Sequence, residues 1–466
     1  MKGPARAILD ACTLEGLATT LFFLTIVLAA ALSPMASDTW WQLRAGADMW
    51  TSRHVLLADT YSHTAYGAFW PNHEWLSQVI FYGLFRLGGL PLLSLFSATV
   101  IAAGWGVTWY LTDGPVLQRL LILLPALVPA SEHWAPRPHA FSLLFLPLAV
   151  LLVTKRRYLW LVPLFWLWAN CHGGVVLGLV VAGAALAAAL FYEPKTFPRI
   201  GLAFAGCLAA VTMTPLGASF WVEIPKSLSR IRQYPLDEWL APRLSEIPLA
   251  PFWIIALVFC ALLLTCWRRL REPTSRHLAI LCLPALVTLP LALSAVRNVG
   301  PFLMLAAPAV CGLMPRVMAL TGRRRQNRPI LNLALMASAC LAAAITIGYA
   351  YRFQIPHLRW TPLPAASLLA LQRCPDNLYN RYDEGGYLIW FAPSRRVFLD
   401  GRQDPYQPSL VLDQIRIESS GDYATVFSTH HIRCAYLPTT SPVAARLSAS
   451  GWSALYRDSA WVVLAQ

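Results

Sequence analysis

Apolar runs long enough to cross a bilayer recur along most of this chain, and they constrain its fold more than anything else in it. A crossing helix needs about 20 apolar residues. Runs of that length or slightly shorter lie at 14–35, 88–111, 117–131, 139–154, 158–170, 174–192, 200–220, 250–267, 277–295, 299–319 and 330–350, about eleven in all. Lipid offers the backbone no hydrogen bonds, so each run must satisfy its own amides as a helix. The expected fold is mainly α: a polytopic transmembrane helical bundle. Charged residues make up only 13% of the chain against 57% hydrophobic ones, which excludes an ordinary soluble enzyme. The first run invites a signal-peptide reading but is long for one, and is read as an uncleaved anchor.

The formal charge of +14 does not point to nucleic acid, because the basic residues fall mostly in short loops between the runs. Lys2 and Arg6, Arg119, Lys155-Arg156-Arg157, Lys195 and Arg199, Arg268-Arg269 with Arg271 and Arg276, and Arg323-Arg324-Arg325 with Arg328 occupy alternate loops. The positive-inside rule makes those loops cytoplasmic, the N-terminus cytoplasmic, and everything after Tyr351 external. The 37–86 loop, His133, Arg137, His139, His172, Arg297 and the C-terminal segment then share the outer face. No Walker, Rossmann or zinc-finger pattern occurs, so nothing calls for a nucleotide.

Beyond about residue 351 the composition changes. The expected division is a membrane domain over 1–350, carrying an outer catalytic loop at 37–86, and a small extracytoplasmic α/β domain over 351–466. In the latter, strands are expected at 377–380, 396–400, 432–437, 453–456 and 461–464, with helices between, favouring a mostly parallel sheet with an antiparallel edge. Cys374 and Cys434 are its only cysteines; on an oxidising side they are a candidate disulfide.

The residues able to carry chemistry concentrate in the 37–86 loop. Asp38 follows the outer end of the first run and precedes Trp40 and Trp41. A partly desolvated carboxylate there suits a general base; alternatively Ser37 or Asp38 caps a helix. His73 and Glu74 either position a hydroxyl or, with Asp38, ligate a divalent metal such as Mg2+ or Mn2+, or merely open a helix at Trp75. Asp59 and His63, in a Thr/Ser/Tyr-rich turn, read as substrate contacts or as structural hydrogen-bond partners. Arg137 and Arg297 suit a phosphate, since a guanidinium binds oxygens bidentately. His139, and His172 before Gly173-Gly174, are ligand contacts or end groups of spans. Asp400 and Arg402, and Asp383 to Tyr387, stand at expected strand ends, where α/β folds bind ligands; turns and salt bridges account for them equally.

Taken in order, Asp-Thr-Trp-Trp from Asp38, Asp-Thr-Tyr-Ser-His-Thr-Ala from Asp59, Trp-Pro-Asn-His-Glu-Trp-Leu from Trp70, Trp-Ala-Asn-Cys-His-Gly-Gly from Trp168, Asp-Glu-Gly-Gly-Tyr-Leu from Asp383 and Asp-Gly-Arg from Asp400 resemble bacterial membrane proteins of the GT-C glycosyltransferase superfamily. The resemblance implies a GT-C-like fold and transfer of a sugar from a polyprenyl-phosphate donor to a glycan, lipid or protein acceptor. It implies inversion at the sugar, at the outer face of a bacterial inner membrane. It maps the catalytic acid of the first outer loop onto Asp38, with Glu74 the next acid, and makes Trp41 a sugar-stacking candidate. Many such proteins carry adjacent acids in that loop, whereas here Thr39 follows Asp38. Two other classes fit a polytopic chain: a lipid or glycan transporter or flippase, and a non-catalytic assembly subunit. The near absence of charge inside the runs counts against transport.

Overall fold

The computed structural model describes residues 12–234, 236–314 and 328–466; Lys2, Arg6 and Arg323 to Arg325 lie outside the described residues. Each expected apolar run is largely helical among the described residues. Among the described residues, seven helices are long and apolar enough to cross a membrane: Leu14–Ala31, Trp75–Leu111, Val175–Tyr192, Ile247–Thr265, Pro273–Ser294, Val296–Leu313 and Pro329–Phe353. A broken pair, Pro194–Thr212 with Gly217–Ile231, brings the number to eight if it counts as one. The expectation of eleven crossings is not met on length: Val116–Ser131, His139–Thr154 and Tyr158–Cys171 are shorter. The first two contain Pro125, Pro129 and Pro147. The chain is a multi-pass membrane protein.

It divides into two compact units. One comprises Met1–Ser33, Pro91–Met213 and Leu236–Ile355 and is built from apolar helices. Small residues let those helices approach closely: a Cβ on Gly104 would lie 2.4 Å from the Leu143 carbonyl oxygen, and one on Gly178 2.4 Å from the Trp168 ring. The interior is lined by Phe252, Phe259, Phe302, Phe165 and Trp168, all fully buried.

The other unit comprises Pro34–Leu90, Thr214–Pro235 and Pro356–Gln466. The stretch expected as a loop of the membrane domain thus folds with the C-terminal segment. Its first part is a helix, Ser37–Ser52, that packs on the helix Tyr382–Phe391. Trp40 lodges against Trp390 and Phe391, with centroids 6.1 and 4.6 Å apart. Two glycines make the packing possible: a Cβ on Gly386 would lie 2.2 Å from the Ser37 carbonyl, and one on Gly385 2.2 Å from that of Leu399. The Asp-Glu-Gly-Gly-Tyr motif is explained by this close approach. The helix Trp75–Leu111 breaks at Gly88 and Gly89, the latter at φ 63°, so the segments before and after the break are separate.

The sheet of this unit has strands β1 (Asn377–Tyr379), β2 (Ile432–Pro438), β3 (Ser453–Arg457) and β4 (Trp461–Ala465), in the order β1-β2-β4-β3. Only β1 and β2 are parallel; β2–β4 and β4–β3 are antiparallel. That corrects the expected mostly parallel sheet. The cause is the tight hairpin between β3 and β4, where Asp458 Oδ1 accepts from the amides of Ala460 and Trp461. The expected strand at 396–400 does not join the sheet. Val397 instead exchanges backbone hydrogen bonds with Tyr61 and His63, stitching the Asp-Thr-Tyr-Ser-His segment to the C-terminal part. Tyr379, Phe398, Tyr406, Ile417, Leu437 and Leu464 form the core beneath. Cys374 and Cys434 form a disulfide, Cα atoms 5.6 Å apart.

Candidate functional site

The carboxylate of Asp38 sits in the first turn of the Ser37–Ser52 helix. The helix is capped at Ala36, whose side chain makes no capping bond, so neither Ser37 nor Asp38 is the cap. The entry is set instead by the Met35 amide, which donates to the Leu358 carbonyl at 2.9 Å. An acid in a first turn faces the positive end of the helix dipole. Asp38 Oδ1 accepts from Trp41 Nε1 at 3.0 Å. A Cβ on Gly401 would lie 2.1 Å from the same oxygen, so the Asp-Gly-Arg glycine leaves room for this carboxylate.

Gln42, one turn further along the same face, donates through Nε2 to Glu74 Oε2. Glu74 therefore lies one helical turn from Asp38, although the two are 36 positions apart in the sequence. His73 Nδ1 donates to the Pro71 carbonyl at 3.0 Å. Its Nε2 lies 3.9 Å from Glu74 Oε1, an ion pair when the imidazole is protonated, with side-chain exposures of 19% and 16%. Asp38, Trp41, His73 and Glu74 thus meet around one helix face. Sequence reasoning missed Gln42, their link. It also missed Asp404, a buried acid of the same unit whose pKa burial pushes up, against the lowering by His73, Ser227 and Arg230. Among the described residues no group of three or more His, Cys, Asp or Glu side chains is arranged to hold a metal ion. Asp38, His73 and Glu74, which the sequence offered as possible ligands, are not assembled as such a group in this structure.

Asp59, Asp400 and Arg402 occupy a different setting. Arg402 Nη1 lies 2.6 Å from Asp59 Oδ1 and Nη2 2.7 Å from Asp400 Oδ2, with no side-chain exposure at any of the three. Its guanidinium also stands 4.9 Å from the rings of both Tyr61 and Trp70. Burial pulls the Arg402 pKa down, but Asp400, Tyr406 and Asp59 outweigh it and hold the group charged. With no side-chain exposure, these residues make the structural salt bridges that the sequence left as the alternative to substrate contact. His63 is half-buried. Its Nε2 donates to the Leu378 carbonyl at 2.9 Å. Burial, then His430 and Arg396, lower its pKa to about 4.

The membrane unit brings Arg137 and Arg297 together on one carboxylate that sequence reasoning did not single out. Arg297 Nη1 donates to Glu238 Oε1 at 3.0 Å, and Arg137 Nη1 lies 3.6 Å from Glu238 Oε2. The Arg297 guanidinium also lies 4.2 Å from the Trp239 ring centroid. Burial would raise the Glu238 pKa, but Arg137 and Arg297 overcome it and bring it to about 2. Side-chain exposures of 26%, 28% and 22% keep all three in reach of a ligand. His139 Nε2 is buried nearby with no hydrogen-bond partner. His172 lies in the same unit, bonded through Nδ1 to Ser142 and Gly174. The one advance signal for Glu238 was an acidic pair, Asp237-Glu238, beside a tryptophan in a chain poor in acids.

No protein-family model matches the chain, and no curated protein matches it. Solved structures do. The apo form of the Archaeoglobus fulgidus oligosaccharyltransferase superposes with a TM-score of 0.53 at 12% identity, over 90% of this chain and 69% of that one. The same enzyme tethered by a disulfide to an acceptor peptide containing the NVT sequon gives 0.51 at 12% identity, with the same coverage. AglB of A. fulgidus in complex with an inhibitory peptide and a dolichol-phosphate gives 0.51 at 11% identity, again over 90% and 69%. This chain is a multi-pass membrane protein that shares the fold of the archaeal oligosaccharyltransferases.

Proposed function

We propose that the protein transfers a sugar from a polyprenyl-phosphate donor to a glycan, lipid or protein acceptor at the outer face of a bacterial inner membrane, with inversion at the anomeric carbon. The observation that carries this reading is the pairing of Asp38 and Glu74 on one helix face, in a chain with the fold of enzymes solved with an acceptor peptide and with a dolichol-phosphate. Asp38 takes the acceptor proton as the sugar leaves its phosphate. Glu74, steadied by Gln42 and His73, shares the charge or orients the acceptor. Trp41 holds the Asp38 carboxylate through Nε1. In the membrane unit Arg137 and Arg297, with His139 and His172, receive the lipid phosphate, stabilising charge as it develops there. Asp59, Asp400, Arg402 and His63 hold the Asp38 surroundings in shape and touch no substrate.

The disulfide supports the orientation. Cys374–Cys434 belongs to the same unit as Asp38, and disulfides persist in oxidising compartments, which supports an outer-face position for residues 356–466 and the Asp38 cluster; the cytoplasmic N-terminus rests on the positive-inside rule. Donor class is tested by offering the purified protein in nanodiscs polyprenyl-phosphate sugars and nucleotide sugars side by side. Turnover of the former alone is expected. Turnover of a nucleotide sugar alone would overturn the reading, and translocation without transfer would make the protein a transporter.

A further inference from the structure

The helix Phe220–Ile231 has 12 residues and is about 18 Å long, too short to cross a hydrocarbon core of about 30 Å by itself. Its rotation is fixed by its own unit. Phe220, Ile224 and Ser227 are buried, at the spacing that lines one side of a helix. Beside them Arg230 Nη1 donates to the Asp404 carbonyl at 3.0 Å, and Ser227 hydrogen-bonds the Asp404 carboxyl. Trp221, Pro225 and Leu228, at i, i+4 and i+7, make a second stripe next to the buried one, and all three are exposed. The charge bordering this stripe is mainly basic. Arg232, just past the helix end, is exposed, and Lys226 Nζ pairs with the helix's one acid, Glu223, at 2.9 Å.

What covers such a stripe follows from what it continues. The apolar limb Pro194–Thr212 ends five positions before Gly217, so the second limb starts within about 18 Å of it along the chain. Exposed apolar side chains run from Leu202 and Leu208 through Met213 to Trp221 and Leu228. Indole and leucine beside a guanidinium suit a helix lying in the headgroup layer, where the ring sits at the interface and the arginine reaches the lipid phosphates. We infer that Phe220–Ile231 is an in-plane membrane helix: its Trp221–Pro225–Leu228 stripe enters the adjoining leaflet, and Arg232 selects anionic phospholipid headgroups. A second polypeptide would also bury the stripe, but a basic border on the continuation of an apolar limb favours the bilayer. Since its other side holds Asp404, the helix ties the leaflet to the unit that carries Asp38 and Glu74. The inference does not depend on sugar transfer.

The test uses the full-length protein in nanodiscs holding phosphatidylglycerol and phosphatidylcholine in equal amounts. Each lipid in turn carries the same photoreactive diazirine near the top of one acyl chain, and adducts are mapped by peptide mass spectrometry. They are expected on Trp221, Pro225 and Leu228 and not on Glu223 or Lys226. Phosphatidylglycerol adducts should exceed those of phosphatidylcholine about fivefold, the preference that one basic residue gives at an anionic surface. The ratio should fall to parity in Arg232→Gln, whose folding is checked by its thermal midpoint. High salt should do the same to the wild-type protein by screening, so the test stands even if the variant is unstable. A wild-type stripe that cross-links to protein and not to lipid would overturn the inference, as would adducts spread evenly around the helix. Equal labelling by the two lipids would overturn the anionic preference. None of these readouts involves turnover, so each outcome leaves the reading of the protein as a glycosyltransferase to its own test.

Discussion

Two clusters in this molecule are built from the same parts, guanidinium and carboxylate, and differ in what surrounds them. Arg402 faces Asp59 and Asp400 with no side-chain exposure at any of the three, and its guanidinium stands beside the rings of Tyr61 and Trp70. Arg137 and Arg297 face Glu238 together, each about a quarter exposed. In the first cluster two carboxylates around one cation are sealed, and an incoming anion would be repelled and have no way in. In the second the guanidinia are partly exposed, so a ligand anion has access. Chemical type alone does not separate a binding site from a structural brace; burial and charge balance do.

The largest effect should come from breaking the sealed cluster. Arg402→Met leaves two buried carboxylates uncompensated, a loss of about 3–5 kcal/mol, seen as a collapse in thermal or denaturant stability of the detergent-solubilised protein. Neutralising the carboxylates as well, with Asp59→Asn and Asp400→Asn, should recover much of it. A stable Arg402→Met protein with impaired acceptor affinity would return Arg402 to the substrate contacts.

At the edge of that cluster, Asp38 tests where bracing ends and chemistry begins. Asp38→Asn keeps the contact with Trp41 and the room beside Gly401 while removing the basic carboxylate. Turnover should fall about 10²–10⁴-fold with stability within about 1 kcal/mol of wild type. Near-native transfer by a well-folded variant would pass the role to Glu74.

The open cluster should respond in the opposite sense. Arg297→Gln is expected to raise the KM for a polyprenyl-phosphate donor by about tenfold, with stability changed by less than about 1 kcal/mol, as for partly exposed ion pairs. A stability loss as large as that of Arg402→Met would make the two clusters equivalent and sink the comparison.

The smallest effect is one of pH. His63 has a folded pKa of about 4 against an ordinary 6.5, so the unfolded chain binds the extra proton first. Its contribution to stability is complete above pH 6.5 and is lost as pH falls towards 4. Glu238, with a pKa of about 2 against 4.5, contributes fully above pH 4.5 and loses its share only below it. Between pH 6.5 and 4.5 the stability slope should therefore flatten in His63→Gln and stay unchanged in Glu238→Gln.

Much of this was legible in the residues. Periodicity and hydropathy place the apolar helices, because lipid leaves the backbone no alternative to internal hydrogen bonding. The Asp-Thr-Trp-Trp and Asn-His-Glu-Trp stretches stand out because acids are rare in such a chain. Local pattern also located the last hairpin and the helices of the C-terminal segment. The number of crossings was less legible, since a run of 16 residues such as Val116–Ser131 reads as apolar whether or not it is long enough to span.

Pairing across long separations was decided only by the tertiary structure. Arg402 and Asp59 are neighbours although 343 positions apart, Glu238 lies far along the chain from Arg137, and the 396–400 segment pairs with 61–64 instead of joining the sheet. A sequence records which side chains carry charge. Whether that charge faces water, a ligand or a sealed counter-ion depends on which distant segments pack over it, and only a side chain's surroundings set the cost of desolvating it.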